Sequence, residues 1–409
     1  MKTGLSLEEA QSLLLSQAAA VPTEQLALTQ ACGRVTGKDI ASAENVPPFD
    51  RSPLDGYAMQ AADMQGAGAE CPIQLSVIEE IRAGFTAQKK VTPGTAIKVM
   101  TGAPIPEGAD VVIRYEDVKR EKDSLFIFHE LNKGNNIVPA GEDVSKDEVI
   151  VRQGERLTAP RIGLLAAIGK AAIPAFNKVK VALISTGDEL VDPSEQLQVG
   201  KIHNSNVHSL GARCQQLGAE PLYFGIVPDE KDVTAERMRQ ALKKADLVIT
   251  TGGVSVGDFD VVPATLKQIG ADVLFWKVKM KPGSPVIAAQ KDGKLLIGLS
   301  GNPAAALITF DLLVVPVIKK MMGLCQQLPM KITAVLANDF AKESPQRRFL
   351  RGKLEISYPT NRIRLTGNQQ NGVLKSMIDC DVLIDVPAGS GPLMAGQKVT
   401  AVMMENVLV

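Results

Sequence analysis

The stretch 247–260 reads Leu-Val-Ile-Thr-Thr-Gly-Gly-Val-Ser-Val-Gly-Asp-Phe-Asp. An apolar run feeds Gly252 and Gly253, then Ser255, Gly257 and two acids, Asp258 and Asp260. Glycines let backbone N–H groups turn toward a ligand, and the start of a following helix favours negative charge. Two glycines alone would make only a tight turn; the whole string is the pattern of a loop that holds an anion. It follows neither G-x-G-x-x-G nor the P-loop spacing. Carboxylates beside an anion repel it unless a cation intervenes. Hard oxygen donors there suggest Mg²⁺ between protein and phosphate. A solvated acidic helix start is the plainer alternative.

Other stretches carry similar chemistry. Ser185-Thr-Gly-Asp-Glu189 and Pro228-Asp229 each place acids after an apolar run. Trp276-Lys277-Val-Lys-Met-Lys281 would put Lys277, Lys279 and Lys281 on one face if extended, where cations suit an oxyanion. Gly298-Leu-Ser-Gly-Asn-Pro303 offers Asn302 as a helix cap and Pro303 as a first helical residue. Singly, each could be a cap or a solvated face. Three turn-rich loops lie earlier: 48–58 with Asp50, Arg51 and Asp55, 101–106 with two prolines, and 140–144 with Asp143.

These loops need elements to position them. Strands expected at 179–184, 222–226, 247–250, 273–275 and 295–297 alternate with helices at 206–217, 233–244, 261–269 and 303–321. Such alternation argues a parallel sheet covered on both faces, with ligands at the strands' carboxyl ends. Upstream, Ser6-Leu-Glu-Glu9 is a capping box opening a helix to about residue 20. A short strand is expected at 24–28, a short helix at 31–39 and another helix at 159–168. Short β-prone runs fill 45–145, and more of them follow 328. The fold class is therefore multidomain α/β plus β. The expected division is a linker domain at 1–45 and 141–178, an inserted β-rich domain at 46–140, an α/β domain at 179–327 and a C-terminal β-barrel at 328–409.

Composition excludes several functions. Lys+Arg and Asp+Glu balance at 45 each, so no global field steers the chain onto nucleic acid or anionic lipid. Five scattered cysteines without a C-x-x-C pair suit a reducing cytosol. The N-terminus lacks a long apolar region, and the most apolar stretch, 304–318, is broken by Asp311 and Pro316, so it reads as a buried helix. Only three histidines are present, which leaves little for zinc or a Ser–His–Asp triad.

Together the strings resemble the molybdopterin molybdenumtransferase family, which includes the E domain of gephyrin. The resemblance runs in order through 50–58, 101–106, 185–190, 252–257, 281–283 and 301–303. It implies an elongated helical linker domain interrupted by the β-rich domain, a molybdopterin-binding α/β domain and a closing barrel. It implies insertion of molybdate into adenylylated molybdopterin with release of AMP, dependent on Mg²⁺. It also implies a cytoplasmic homodimer with the active cleft shared between subunits, supplied by an upstream molybdopterin adenylyltransferase. Carried over by motif, the catalytic positions are Asp55, Thr101, Asp143, Glu189, Asp229, Asp260, Lys277 and Lys281. Glu189, Asp229 and Asp260 are the implied metal ligands. Gly252, Gly253, Ser255, Gly257, Ser300, Gly301, Asn302 and Pro303 are the implied binding loop residues, with Arg351 and Ser376 from the barrel. The chain departs from the pattern at Ser300, where Pro is common, at Ser284 and Asp258, and at Asn371-Gly372, where serines are common. The rival readings are a non-catalytic molybdopterin-binding scaffold of the same fold and a different anhydride hydrolase on it.

Overall fold

A strand with no polar alternation must be covered on both faces. Lys180–Thr186 and Leu247–Thr251 are such strands, buried along nearly their whole length. In the computed structural model, which describes residues 2–254 and 261–404, they lie inside a seven-stranded sheet. Its order is Lys2–Leu5, Asp272–Val278, Ile287–Lys291, Lys294–Leu299, Leu247–Thr251, Lys180–Thr186, Glu220–Val227. Six of these strands run the same way; Ile287–Lys291 runs against its two neighbours. The expected all-parallel sheet is therefore mixed. The reversal is made at Asp292 and Gly293, with φ of 50° and 75°. Two consecutive positive φ values are the type I′ hairpin signature, and Asp-Gly is its common sequence.

The two faces of the sheet carry separate apolar clusters. On one, Leu7, Leu14, Val207, Leu210, Phe310 and Ile318 pack together. On the other, Ala235, Met238, Val262 and Leu266 do. The N-terminal strand extends the sheet edge, and the helix after it, Leu7–Gln17, opens on the expected Ser6–Glu9 capping box. That helix packs against the long helical segment 303–321, so the first seventeen residues pack with the α/β body.

The segment 303–321 is helical throughout, with a π turn at Phe310–Val314 between Pro303–Thr309 and Val315–Met321. Pro316 has no N–H to give the Leu312 carbonyl one turn earlier. The Gln11 side-chain amide donates to that carbonyl at 2.8 Å instead.

Residues 21–45 and 144–178 form the connection to the β-rich part. It consists of two antiparallel ribbons, Thr23–Ala27 with Ala172–Phe176 and Ile40–Ala41 with Val149–Val151, and one nine-residue helix, Ala159–Ala167. It is thus less helical than expected. No helix forms over 31–39; the chain makes a short 3₁₀ turn at Leu28–Gln30 and then turns at Gly33, whose φ is 77°. Between the ribbons is a six-stranded sheet ordered Val111–Arg114, Gly56–Met59, Thr95–Val99, Ile73–Ile81, Ser124–Ile127, Val118–Glu121. Beyond the α/β part, five strands close into a barrel: Lys331–Leu336, Arg362–Leu365, Arg348–Glu355, Val382–Val386 and Lys398–Met403. No helix among the described residues is long and apolar enough to cross a membrane.

Candidate active site

Four parallel strands end side by side: Lys294–Leu299, Leu247–Thr251, Lys180–Thr186 and Glu220–Val227. The chain leaves Lys180–Thr186 for its outer neighbour Glu220–Val227, then returns to the other side at Leu247–Thr251. Such a reversal opens a crevice beyond the strands' carboxyl ends. A cleft of about 500 Å³ lies there. Glu189, Asp229, Gly252 and Gly253 line it from three strand ends, and Ser300, Gly301, Asn302 and Pro303 from the fourth. A second cavity of similar volume lies between the helix Asn206–Leu217 and the barrel, but no carboxylate is among its lining residues.

Close contacts hold the four loops together. A Cβ on Gly187 would fall 2.5 Å from a Glu189 carboxylate oxygen, so glycine leaves the room that the acid occupies. The Asp229 N–H donates to Asp188 Oδ1 at 3.2 Å, tying the loop after Glu220–Val227 to the loop after Lys180–Thr186. Gly252, with φ of 91°, approaches so near that a Cβ would fall 2.3 Å from the Thr186 carbonyl oxygen. Its N–H donates to the Leu299 carbonyl at 3.0 Å. Ser300 is buried, and its Oγ accepts from the Asn302 N–H at 3.3 Å. Asn302 precedes the helix as expected, but its side chain makes no capping bond. The barrel loop reaches this point: Ala305 N–H donates to the Asn371 carbonyl at 3.2 Å. Ser255, Gly257, Asp258 and Asp260 lie outside the described residues.

The lysines are arranged differently from the expectation. Lys277 has φ of 69°, which breaks the extended alternation that would put three lysines on one face. Its Nζ sits 5.4 Å from the Trp276 ring centroid. Lys279 turns toward the N-terminal strand, its N–H donating to the Leu5 carbonyl at 2.8 Å. Lys281 is exposed, and its backbone is bound on both sides to the barrel strand, N–H to Arg347 carbonyl at 2.9 Å and carbonyl to Phe349 N–H at 2.8 Å. Neither Lys277 nor Lys281 is among the residues lining the cleft.

Arg351 and Ser376, expected as ligand contacts, are buried in the barrel. Arg351 Nη2 donates to the Asn368 carbonyl at 3.3 Å, while Nε and Nη1 have no hydrogen-bond partner. Burial pushes its guanidinium pKa down. Ser376 Oγ donates to the Val373 carbonyl at 2.6 Å.

Asp55 and Thr101 are in contact, and neither they nor Asp143 line the cleft. Asp55 Oδ1 accepts from the Thr101 N–H at 2.7 Å and from its hydroxyl at 2.8 Å. Those two bonds, the backbone one foremost, hold the Asp55 carboxyl below its ordinary pKa. The neighbouring loops are stitched by backbone bonds: Ser52 to Ala103, Arg51 to Val138, and Asp143 to Val46, each at 2.9 Å. None of the three residues lines the cleft of its own chain.

Sequence reasoning overlooked Asp188 as a tie and the segment Ile202–Asn206 as a wall of the cleft. The polar Asn204-Ser205-Asn206 just before a helix was the available signal. Thiol chemistry has no footing at the two buried cysteines. Burial pushes Cys214 and Cys380 up to about 12, so both stay protonated near neutrality. No group of three or more His, Cys, Asp or Glu that could hold a metal occurs among the described residues. Glu189 and Asp229 nonetheless supply two hard carboxylates to one cleft, and Mg²⁺ commonly takes only one or two protein carboxylates, with water and phosphate oxygens completing its shell.

Three family models match consecutive parts of the chain: MoeA N-terminal region (domain I and II) over 5–169, Probable molybdopterin binding domain over 182–320, and MoeA C-terminal region (domain IV) over 333–403. A molybdopterin molybdenumtransferase of Staphylococcus aureus (strain Mu50) is 36% identical over 402 residues, 98% of this chain and 96% of that protein. One from Bacillus subtilis is 39% identical over 390 residues, 94% and 90% of the two chains. The crystal structure of the molybdopterin biosynthesis MoeA protein from Pyrococcus horikosii is 31% identical, superimposes with a TM-score of 0.87, and is matched over 98% of this chain and 99% of its own.

Proposed function

The chain belongs to the molybdopterin molybdenumtransferase family, and from that premise we propose that it inserts molybdate into adenylylated molybdopterin and releases AMP. The observation that carries this reading is the assembly of Glu189, Asp229, Gly252–Gly253 and 300–303 around one cleft at the sheet's reversal point. Close-packed glycines put no side chain where a phosphate would sit, and two acids flank that seat.

In this reading Glu189 and Asp229, joined by Asp260, hold Mg²⁺. The bound ion would offset the negative charge of the phosphate anhydride. Gly252 and Gly253 seat a phosphate with Ser255 and Gly257, and Lys277 and Lys281, which lie outside the cleft lining, draw molybdate in by their charge. Asp55, Thr101 and Asp143 come from the second subunit of a homodimer. The contact of Asp55 with Thr101, and the absence of all three from the lining of their own chain's cleft, support that assignment. Arg351 and Ser376 serve the ligand only through the barrel loops around them, which fits their burial. The setting is cytoplasmic, and a molybdopterin adenylyltransferase supplies the substrate.

The test is molybdate-dependent AMP release from adenylylated molybdopterin by the purified protein. Release that requires molybdate and Mg²⁺ supports the reading. Binding without release would make the chain a scaffold. AMP or phosphate release from ordinary nucleotides without molybdate would make it a different anhydride hydrolase.

A further inference from the structure

The segment between the strand end at Val191 and the helix Asn206–Leu217 ties three of the cleft loops together. Asn204, 3% exposed, accepts from the Ser185 hydroxyl at 3.1 Å, and that hydroxyl lies 3.1 Å from Thr251 Oγ1. Two residues on, Asn206 Nδ2 donates to the Gly301 carbonyl at 2.8 Å, across 95 positions of sequence. The loops so linked follow the strands Lys180–Thr186, Leu247–Thr251 and Lys294–Leu299.

Asn206 is 8% exposed, and its Oδ1 is buried with no hydrogen-bond partner among the described residues. The orientation follows from chemistry. A carbonyl can only accept, so the amide nitrogen must face Gly301 and the oxygen must face away. A buried unpaired acceptor destabilises a fold. A side chain chosen for stability alone would be apolar and of similar size. The cap position of this helix is Ser205, and the Asn206 amide is turned to Gly301 instead. Its one contact in polar terms is the Gly301 carbonyl, and Gly301 packs against Gly252, a Cβ there falling 3.6 Å from the Gly252 Cα.

We propose that Asn206 is a positioning residue, which fixes the 300–303 loop against Gly252 at a cost in stability. It borders the cleft and acts through its bond to the Gly301 carbonyl. The functional part of the claim rests on the reading given above for the cleft; the positional part does not.

The test uses the full-length protein with Asn206→Leu, which keeps the size and removes both the clamp and the orphaned oxygen. The expected result is a thermal midpoint at or above that of the parent, together with faster amide hydrogen exchange in a peptide spanning 299–306. In the AMP-release assay the same variant should lose at least about tenfold in kcat/KM, a factor equivalent to 1.4 kcal/mol. Asn206→Asp keeps the shape but sets a carboxylate against the Gly301 carbonyl, and should lower both midpoint and turnover. Unchanged exchange over 299–306 in Asn206→Leu overturns the proposal. So does a parallel fall in midpoint and turnover in Asn206→Leu, because a plain structural contact would give that. Absence of AMP release from the parent protein would overturn the function of the cleft and leave the exchange measurement to decide the clamp.

Discussion

Glu189 stands where it does because residue 187 has no side chain. A methyl group on Gly187 would come within 2.5–2.8 Å of the whole Glu189 carboxyl group. Gly187→Ala should therefore push the acid out of the cleft and mimic, in AMP release, most of the loss caused by Glu189→Gln. Glu189→Gln is the cleaner probe: turnover should fall by two orders of magnitude or more, roughly the scale of a lost charge-stabilising group, while substrate still binds. Unaltered turnover would remove Glu189 from the chemistry. Asp55 gives a second prediction at this scale. Its carboxyl pKa is depressed by the Thr101 bonds, so their stabilisation is complete above the unfolded value and fades as pH falls through the folded one. Thr101→Val keeps the N–H bond and removes the hydroxyl, so the Asp55 pKa should rise toward its ordinary value while staying below it. A carbon-13 titration of the Asp55 carboxyl reads this directly, and no change would mean the hydroxyl contributes nothing.

Elements add a constraint that single residues do not show. Proline at 316 was legible as an interruption of an apolar helix, and the structure answers it with a π turn. The partner of the freed Leu312 carbonyl was not legible, since Gln11 is 301 positions away. Gln11→Leu leaves that carbonyl buried and unpaired, and should cost about 1–3 kcal/mol, measured as a lower urea midpoint with unchanged slope. A null shift would mean that water or another donor takes over the Leu312 carbonyl. The same division runs through the rest of the fold. Strands such as Leu247–Thr251 declare themselves as apolar runs before glycines, because burial on both faces leaves no alternation. The antiparallel strand Ile287–Lys291 could have been read from Asp292-Gly293, a local signal. The edge strand Lys2–Leu5 could not, for its register with 275–278 depends on contacts far along the chain. The cleft follows that rule: acids and glycines after strands were visible, whereas Asn204 and Asn206 act through partners that no local pattern names.

At the scale of the whole molecule, two clusters remain separate within one chain. Glu189 and Asp229 line the cleft, while Asp55, Thr101 and Asp143 lie on loops of the β-rich part. The proposal that a homodimer joins them has a consequence that a single-chain site lacks. In a two-fold dimer each cleft would draw Glu189 from one subunit and Asp55 from the other. Asp55→Asn and Glu189→Gln proteins should each be nearly inactive alone. When the two are unfolded together and refolded at equal amounts, half of the dimers are mixed. Each mixed dimer holds one doubly altered cleft and one intact cleft, so roughly a quarter of parental AMP release should return. The control is a mixture of Glu189→Gln with Asp229→Asn, whose sites lie in the same cleft of one chain and which should restore nothing. Recovery in both mixtures would point to subunit-independent repair, and recovery in neither would return Asp55 to its own chain's chemistry or remove it from the reaction.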